Sequence, residues 1–195
     1  TEESEEREVK RQRSIDEIAN AALGDAPAVE TPRIATFKQF LLEHARVPIG
    51  NGEYGPFTFK GREALEEIVD KIDEILGNGG SAAEAQNVLK DSELVLAGGA
   101  QFGKTTLEQN LAAYLTGCRF LNVGVYLPDD KLADTIVDAK FRPDVVDQIP
   151  WFAKMTQVGK SVNKSGKAVN TKGAFLVTDG KRKAVGMFRG LRKVP

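Results

Sequence analysis

Ser92-Glu93-Leu94-Val95-Leu96-Ala97-Gly98-Gly99-Ala100-Gln101-Phe102-Gly103-Lys104-Thr105-Thr106 decides the fold: an apolar strand runs into a glycine-rich loop with the spacing G-x-x-x-x-G-K-[ST]. Leu107 to Leu115 then follow helical spacing. Strand, loop and helix together form the context of a phosphate-binding P-loop; without them the pattern reads as a glycine-rich turn before a helix. The residue types fit the chemistry. A loop built on Gly98, Gly99 and Gly103 can turn its backbone N–H groups inward on phosphate oxygens, and the helix N-terminus behind it adds partial positive charge. Lys104 is placed to reach β- and γ-phosphates, and the Thr105 hydroxyl to complete a shell on Mg²⁺. The candidate nucleotide-binding residues here are Gly98, Gly99, Ala100, Gln101, Phe102, Gly103, Lys104, Thr105 and Thr106. Lys104 and Thr105 carry the catalytic part, and Thr105 the metal.

Downstream, Gly117 reads as a helix C-cap and Phe120 to Leu127 as a nearly continuous apolar strand, the pattern of a strand buried on both faces. This spacing predicts a βαβ unit. Pro128-Asp129-Asp130 ends the strand and starts a helix bearing Leu132, Ile136, Val137 and Phe141, with Asp129 or Asp130 as its N-cap and a ligand role as the lesser reading.

Upstream, Leu65, Ile68, Val69, Ile72, Ile75 and Leu76 recur at helical spacing between Arg62 and Leu76, and Gly77 stops the helix. Tyr54-Gly55-Pro56-Phe57-Thr58-Phe59 precedes it. Tyr54, Phe57 and Phe59 are candidates for one wall of an adenine pocket, with plain core packing as the alternative. Arg46 to Gly52 reads as loop. Thr36-x-x-Gln39 opens a short helix with Phe37, Phe40, Leu41 and His44 on one stripe, His44 being a packed helix residue. Ser14-x-x-Glu17 and Ser81-x-x-Glu84 cap two further short helices, and Asp25 to Pro32 is a linker. The expected organisation is a charged extension over residues 1–33 and one domain over 34–195.

From Trp151 onward the character changes to short strand-like runs, Met155–Val158, Ala174–Val177 and Ala184–Phe188, joined by lysine-rich loops. Phe175-Leu176-Val177-Thr178-Asp179 invites a Walker B reading. Asp179-Gly180 between two alternating runs is instead a hairpin-turn signature, and no second acid follows it.

The net charge of −1 conceals an asymmetry. Residues 154–195 hold eleven Lys or Arg and the single Asp179, a net of +10, whereas residues 1–153 sum to −11. That balance fits an anionic partner, nucleic-acid phosphate first; Lys160, Lys164, Lys167, Lys172, Lys181, Arg182 and Lys183 are the candidate DNA contacts. At 195 residues, 41% hydrophobic and 28% charged, the composition is that of a globular domain. One cysteine, Cys118, excludes an internal disulfide framework, and one histidine leaves no zinc set. No apolar run approaches a membrane span and the first ten residues are charged, so a cytoplasmic location is expected.

These stretches resemble the N-terminal part of the ATPase domain of a tailed-bacteriophage terminase large subunit. Tyr54-Gly55-Pro56-Phe57 with its helix is similar to the family's adenine segment, and Gly99 to Thr106 to its Walker A. Val125-Tyr126-Leu127-Pro128-Asp129-Asp130, with the later Phe141-Arg142-Pro143, resembles the segment after its second strand, and Phe188-Arg189-Gly190-Leu191-Arg192 the Arg-Gly stretch before Walker B. Ala100 stands where many members carry an arginine. The resemblance implies a P-loop NTPase of RecA/ASCE type: a mostly parallel sheet flanked by helices on both faces, with an N-terminal helical extension and a basic, hairpin-rich C-terminal portion. It implies ATP and Mg²⁺ as cofactors, and translocation of double-stranded DNA into a procapsid. The implied partners are a portal protein, a small terminase subunit and further copies in a ring, in the host cytoplasm and away from membranes. On this resemblance the family's nuclease domain is not expected among these residues. The 195 residues then form part of a longer protein cut before Walker B, with weak turnover alone. Rival readings are a helicase-type motor, a non-motor nucleotide-binding module, and a basic segment that meets a protein instead of DNA.

Overall fold

The computed structural model describes residues 34–77, 103–162 and 168–191. The readings of 1–33, of the strand and loop at 92–102, of the Ser81 helix and of the 163–167 connection lie outside the described residues, and the βαβ unit with them.

Helix α1, Phe37–His44, begins where expected. The Thr36 hydroxyl accepts from the Gln39 N–H at 3.1 Å, and the Gln39 side chain accepts from the Ala35 N–H at 3.0 Å. Its stripe of Phe37, Phe40 and Leu41 is fully buried. A hairpin of β1, Arg46–Gly50, and β2, Glu53–Pro56, follows. The loop expected there is thus a strand and a turn; Gly50-Asn51-Gly52, between Val47-Pro48-Ile49 and Glu53-Tyr54, is the turn signal. Helix α2, Glu63–Ile75, lays Leu65, Val69 and Ile72 on the core.

Helix α3, Lys104–Gly117, is longer than its apolar spacing predicts. Gly117 lies inside it and Cys118 is the C-cap. The glycine is there for packing: a Cβ would sit 2.8 Å from the Phe152 ring and 3.3 Å from Trp151. Strand β3, Val123–Leu127, is shorter than the apolar run because Phe120 takes a positive φ of 53°. Only Val125 of it is buried, which corrects the expectation of burial on both faces.

Helix α4, Asp130–Ile136, passes into a π-helical segment, Val137–Val146, that contains Pro143. Proline lacks the donor and its ring crowds the carbonyl four residues back, so an α-helix cannot continue unchanged; the wider spacing closes with Asp147 N–H on Arg142 O at 2.9 Å. Helix α5, Pro150–Met155, holds Trp151 and Met155, which the strand-like reading had placed at the start of the β region. Strands β4, Thr156–Val162, β5, Ala168–Thr178, and β6, Lys183–Gly190, complete the described chain.

The four-stranded sheet has the order β3-β6-β5-β4. Only β3–β6 is parallel; β5–β6 and β4–β5 are antiparallel. Among the described residues the protein is therefore α/β with a mixed sheet, not a mostly parallel one. Short hairpin connections force the antiparallel pairs, whereas β3 and β6 are joined by a long crossover. Two aromatic groups join the layers. Phe37 and Phe40 meet Tyr114 at 5.6 and 5.7 Å between ring centres, and Phe141 meets Phe175 and Phe188 at 4.6 and 5.1 Å. Burial of each such ring is worth about 2–3 kcal/mol. No helix among the described residues is long and apolar enough to cross a membrane.

Candidate functional site

Gly98, Gly99, Ala100, Gln101 and Phe102 lie outside the described residues; the site is seen from Gly103 on. Gly103 adopts φ 88°, a left-handed conformation natural to glycine, and the next residue starts α3. Leu107 N–H donates to Gly103 O at 2.9 Å and closes the first turn. The N–H groups of Lys104, Thr105 and Thr106 precede any partner within the helix. Thr105 is exposed, while Lys104 and Thr106 are half-buried. An exposed alcohol beside the N–H donors of a helix's first turn fits phosphate together with Mg²⁺. A Cβ at Gly103 would lie 3.7 Å from Leu65, so the end of the loop rests on the first turn of α2.

The aromatic candidates divide. Phe57 and Phe59 are buried, edge to face at 5.0 Å, and Lys38 Nζ lies 5.8 Å from the Phe59 ring centre. Tyr54 is half-buried in β2 and its hydroxyl donates to Asp144 at 2.8 Å. Hydrogen bonding to Asp144 is the main cause that raises its phenol pKa.

The acids near the strand ends are engaged by backbone. Asp129 caps α4, accepting from Leu132 N–H at 2.8 Å, as expected of it. Asp130 accepts from Gly190 N–H at 2.9 Å and Leu191 N–H donates to Leu127 O at 2.7 Å. With Val125 opposite Phe188 in register, two of the four stretches quoted above stand side by side. Asp179 holds the β5–β6 turn: it accepts from Lys181 and Arg182 N–H groups at 2.9 and 2.6 Å and from the Arg182 guanidinium at 2.8 and 3.0 Å. The hairpin reading of Asp179-Gly180 is the observed one.

Among the basic candidates, Lys160 lies in β4 and Lys172 in β5. Lys164 and Lys167 lie outside the described residues. Lys181 is exposed in the β5–β6 turn and Lys183, half-buried, opens β6. The Arg182 guanidinium sits 4.0 Å over the Phe120 ring. The structure thus separates the basic candidates into a β4–β5 group and a turn group, which the sequence treats as one.

Two residues of α3 escaped the sequence reading. Gln109 and Asn110 are 3% and 1% exposed. Asn110 Nδ2 donates to Thr106 O at 2.8 Å, tying the helix's first turn to its second, while Asn110 Oδ1 and Gln109 Nε2 are buried without a partner among the described residues. The available signal was their position beside Leu107, Ala113 and Tyr114 in a helix that is buried nearly all round. Cys118, just beyond, is not a reactive thiol, for burial pushes its pKa up to about 12.

Comparison of the chain with known protein families, with curated proteins and with solved structures finds no match.

Proposed function

We propose that the chain binds ATP with Mg²⁺ and forms the ATPase part of a DNA-packaging motor of the terminase large-subunit type. The observation that carries this reading is the sequence Gly98 to Thr106 joined to a helix that starts at Lys104 behind a left-handed Gly103. Bound Mg·ATP supplies the transferable phosphoryl group and the cation that neutralises its charge. Lys104 binds and orients the terminal phosphates as a point charge. The Thr105 hydroxyl holds the cation, and the N–H groups of the first turn of α3 bind phosphate oxygens. The Asn110 bond to Thr106 O keeps that turn in place. The basic C-terminal portion lies against double-stranded DNA, and portal, small subunit and neighbouring copies complete the motor.

The test is a calorimetric titration of ATP and of GTP, each with Mg²⁺, into the chain and into Lys104→Ala. ATP should bind the parent chain, and the variant should bind at least about 30-fold more weakly, the equivalent of about 2 kcal/mol for a lost charge-assisted contact. Equal binding by the two proteins, or none by either, would sink the nucleotide reading.

A further inference from the structure

We infer that the outer face of β3 and β6 is a binding strip for an unpaired nucleic-acid strand: the Tyr126 ring stacks on a base, and Arg189 and Lys183 take phosphates. The strip goes beyond the nucleotide reading of α3 and does not depend on it.

The strip comes from strand alternation. On β6, Ala184, Gly186, Phe188 and Gly190 are buried, whereas Lys183, Val185 and Met187 are half-buried and Arg189 is exposed. Successive side chains of a strand point to opposite faces, so the second four share the face away from the Phe188 core. In register, Gly124 stands beside Met187 and Tyr126 beside Arg189, while Val125 goes inward with Phe188. Tyr126 is 62% exposed, more than any other aromatic among the described residues. On the same face of β5, Ala174, Leu176 and Thr178 lie opposite Met187, Val185 and Lys183 and are buried, so the opening is confined to β3 and the outer side of β6. Glycine sets the ring. A Cβ at Gly124 would stand 3.2 Å from Tyr126 Cε2 and 3.6 Å from Cζ, so the ring leans back along its own strand onto bare backbone. Every base has a π-face, and an aromatic side chain on an open strand face takes bases whatever their sequence. In a duplex the bases are stacked on one another, so the ring selects unpaired ones.

The charge agrees with this occupant. Lys183 and Arg189 are the charged residues of the strip, and no acid lies between them in β6 or anywhere in β3. At the rise of a strand they stand about 20 Å apart. The acids that follow β3, Asp129 and Asp130, accept from the N–H groups of Leu132 and Gly190. An apolar partner would leave both cations unused, whereas a strand with one phosphate per nucleotide uses both. The competing explanation is that Tyr126 and Arg189 pair across the strands for the sheet's own stability. It makes a different prediction, because removing either side chain would then lower the melting temperature and leave nucleic-acid affinity alone.

The experiment is fluorescence anisotropy of a labelled oligothymidylate of about 15 nucleotides with the full chain, from about 50 to about 200 mM salt. A blunt duplex of the same length is the second probe, and each variant is checked for its thermal melt and for monodispersity. Tyr126→Ala should weaken single-strand binding about tenfold at an unchanged salt slope, while its duplex binding stays within about twofold of the parent. Tyr126→Trp should bind the single strand within about threefold of the parent. Arg189→Ala should lower the log–log slope by about 0.7, the value of one single-strand phosphate contact. Single-strand affinity unchanged in Tyr126→Ala, equal losses for single strand and duplex, a Tyr126→Trp variant as weak as Tyr126→Ala, or no binding by the parent chain would each overturn the inference. So would a parent that self-associates through Tyr126 with oligonucleotide affinity unaffected. Where Tyr126→Ala melts lower than the parent, Arg189→Ala decides, and an unchanged slope overturns the strip. Saturating ATP with Mg²⁺ should leave the oligonucleotide bound; displacement would put the strand at α3 instead. Titration of ATP alone separates the two readings. A Tyr126-dependent single-strand contact in a chain that binds no ATP upholds the strip and removes the motor, and a chain that binds ATP but no oligonucleotide does the reverse.

Discussion

Asp73 and Asp179 are both buried carboxylates that accept two backbone N–H bonds, yet they fasten very different lengths of chain. Asp73, on α2, accepts from Phe37 and Lys38 at the N-terminus of α1 at 2.6 and 2.9 Å, across 36 and 35 residues. Asp179 accepts from Lys181 and Arg182, two and three residues on. The first sets one helix against another and adds negative charge at the positive end of α1; the second closes a turn that its own sequence already favours. The same chemical device therefore carries tertiary structure in one region and local structure in the other.

The sharpest way to break this comparison is to remove Asp73. Asp73→Ala leaves two N–H groups without the charged partner and should cost about 3 kcal/mol, read as a lower urea midpoint. Thr36 still caps α1, and the Lys38 bridges to Glu66 and Asp70 at 2.9 and 2.8 Å still hold α2 to it. A loss under about 1 kcal/mol would mean that these suffice and that Asp73 has no special reach.

Asp179→Ala should cost less, about 1–2 kcal/mol, because Arg182 is 55% exposed and water screens the ion pair, leaving chiefly the two turn bonds. Burial pushes the Asp179 pKa up, but the N–H groups of Arg182 and Lys181, with the guanidinium, outweigh it and hold the carboxyl below its usual value. A depressed folded pKa gives stability that is fully present above the unfolded value of about 4 and is lost as pH falls through the folded one. The stability gap between the parent chain and Asp179→Asn should be level above about pH 5 and shrink below about pH 4. A gap that widens in acid would contradict the bonding described.

How far each region could be read from sequence follows the same division. Thr36-x-x-Gln39, Asp129 before α4, the stripe of α2 and Asp179-Gly180 all act within a few residues, and each is where its spacing put it. Asp73 gave no such signal, since a carboxylate in a charged helix looks solvated until α1 packs on it. Gly117 looked like a cap because its true reason, the Phe152 ring, is 35 residues away. The π-helical segment and the mixed strand order likewise depend on what packs where. The candidate site divides in the same way: the helix start at Gly103–Lys104 is local and legible, while Gln109 and Asn110 were hidden by a helix whose polar residues ordinarily face water.

His44 sharpens the contrast from the opposite side, as a titratable group whose buried Nε2 has no hydrogen-bond partner among the described residues. It ends α1, packs on Phe40 at 6.0 Å and edge-on to Trp151 at 5.8 Å, and the Glu43 carboxylate lies 3.8 Å from its buried Nε2. Burial lowers its pKa; Glu43 pulls it up and Arg46 down. The helix C-terminus also favours the cation. With the folded value below the unfolded one of about 6.5, the contribution to stability is complete above about pH 6.5 and falls away as the solution is acidified towards the folded value. Trp151 is the only tryptophan, so its fluorescence reports the neighbouring ring. Acid titration should quench it with a midpoint below about 6.5, and His44→Gln should abolish that step while changing stability at neutral pH by less than about 1 kcal/mol. A midpoint above about 6.5 would mean that Glu43 and the helix end outweigh burial. His44 would then join the two carboxylates as a group governed by its partners.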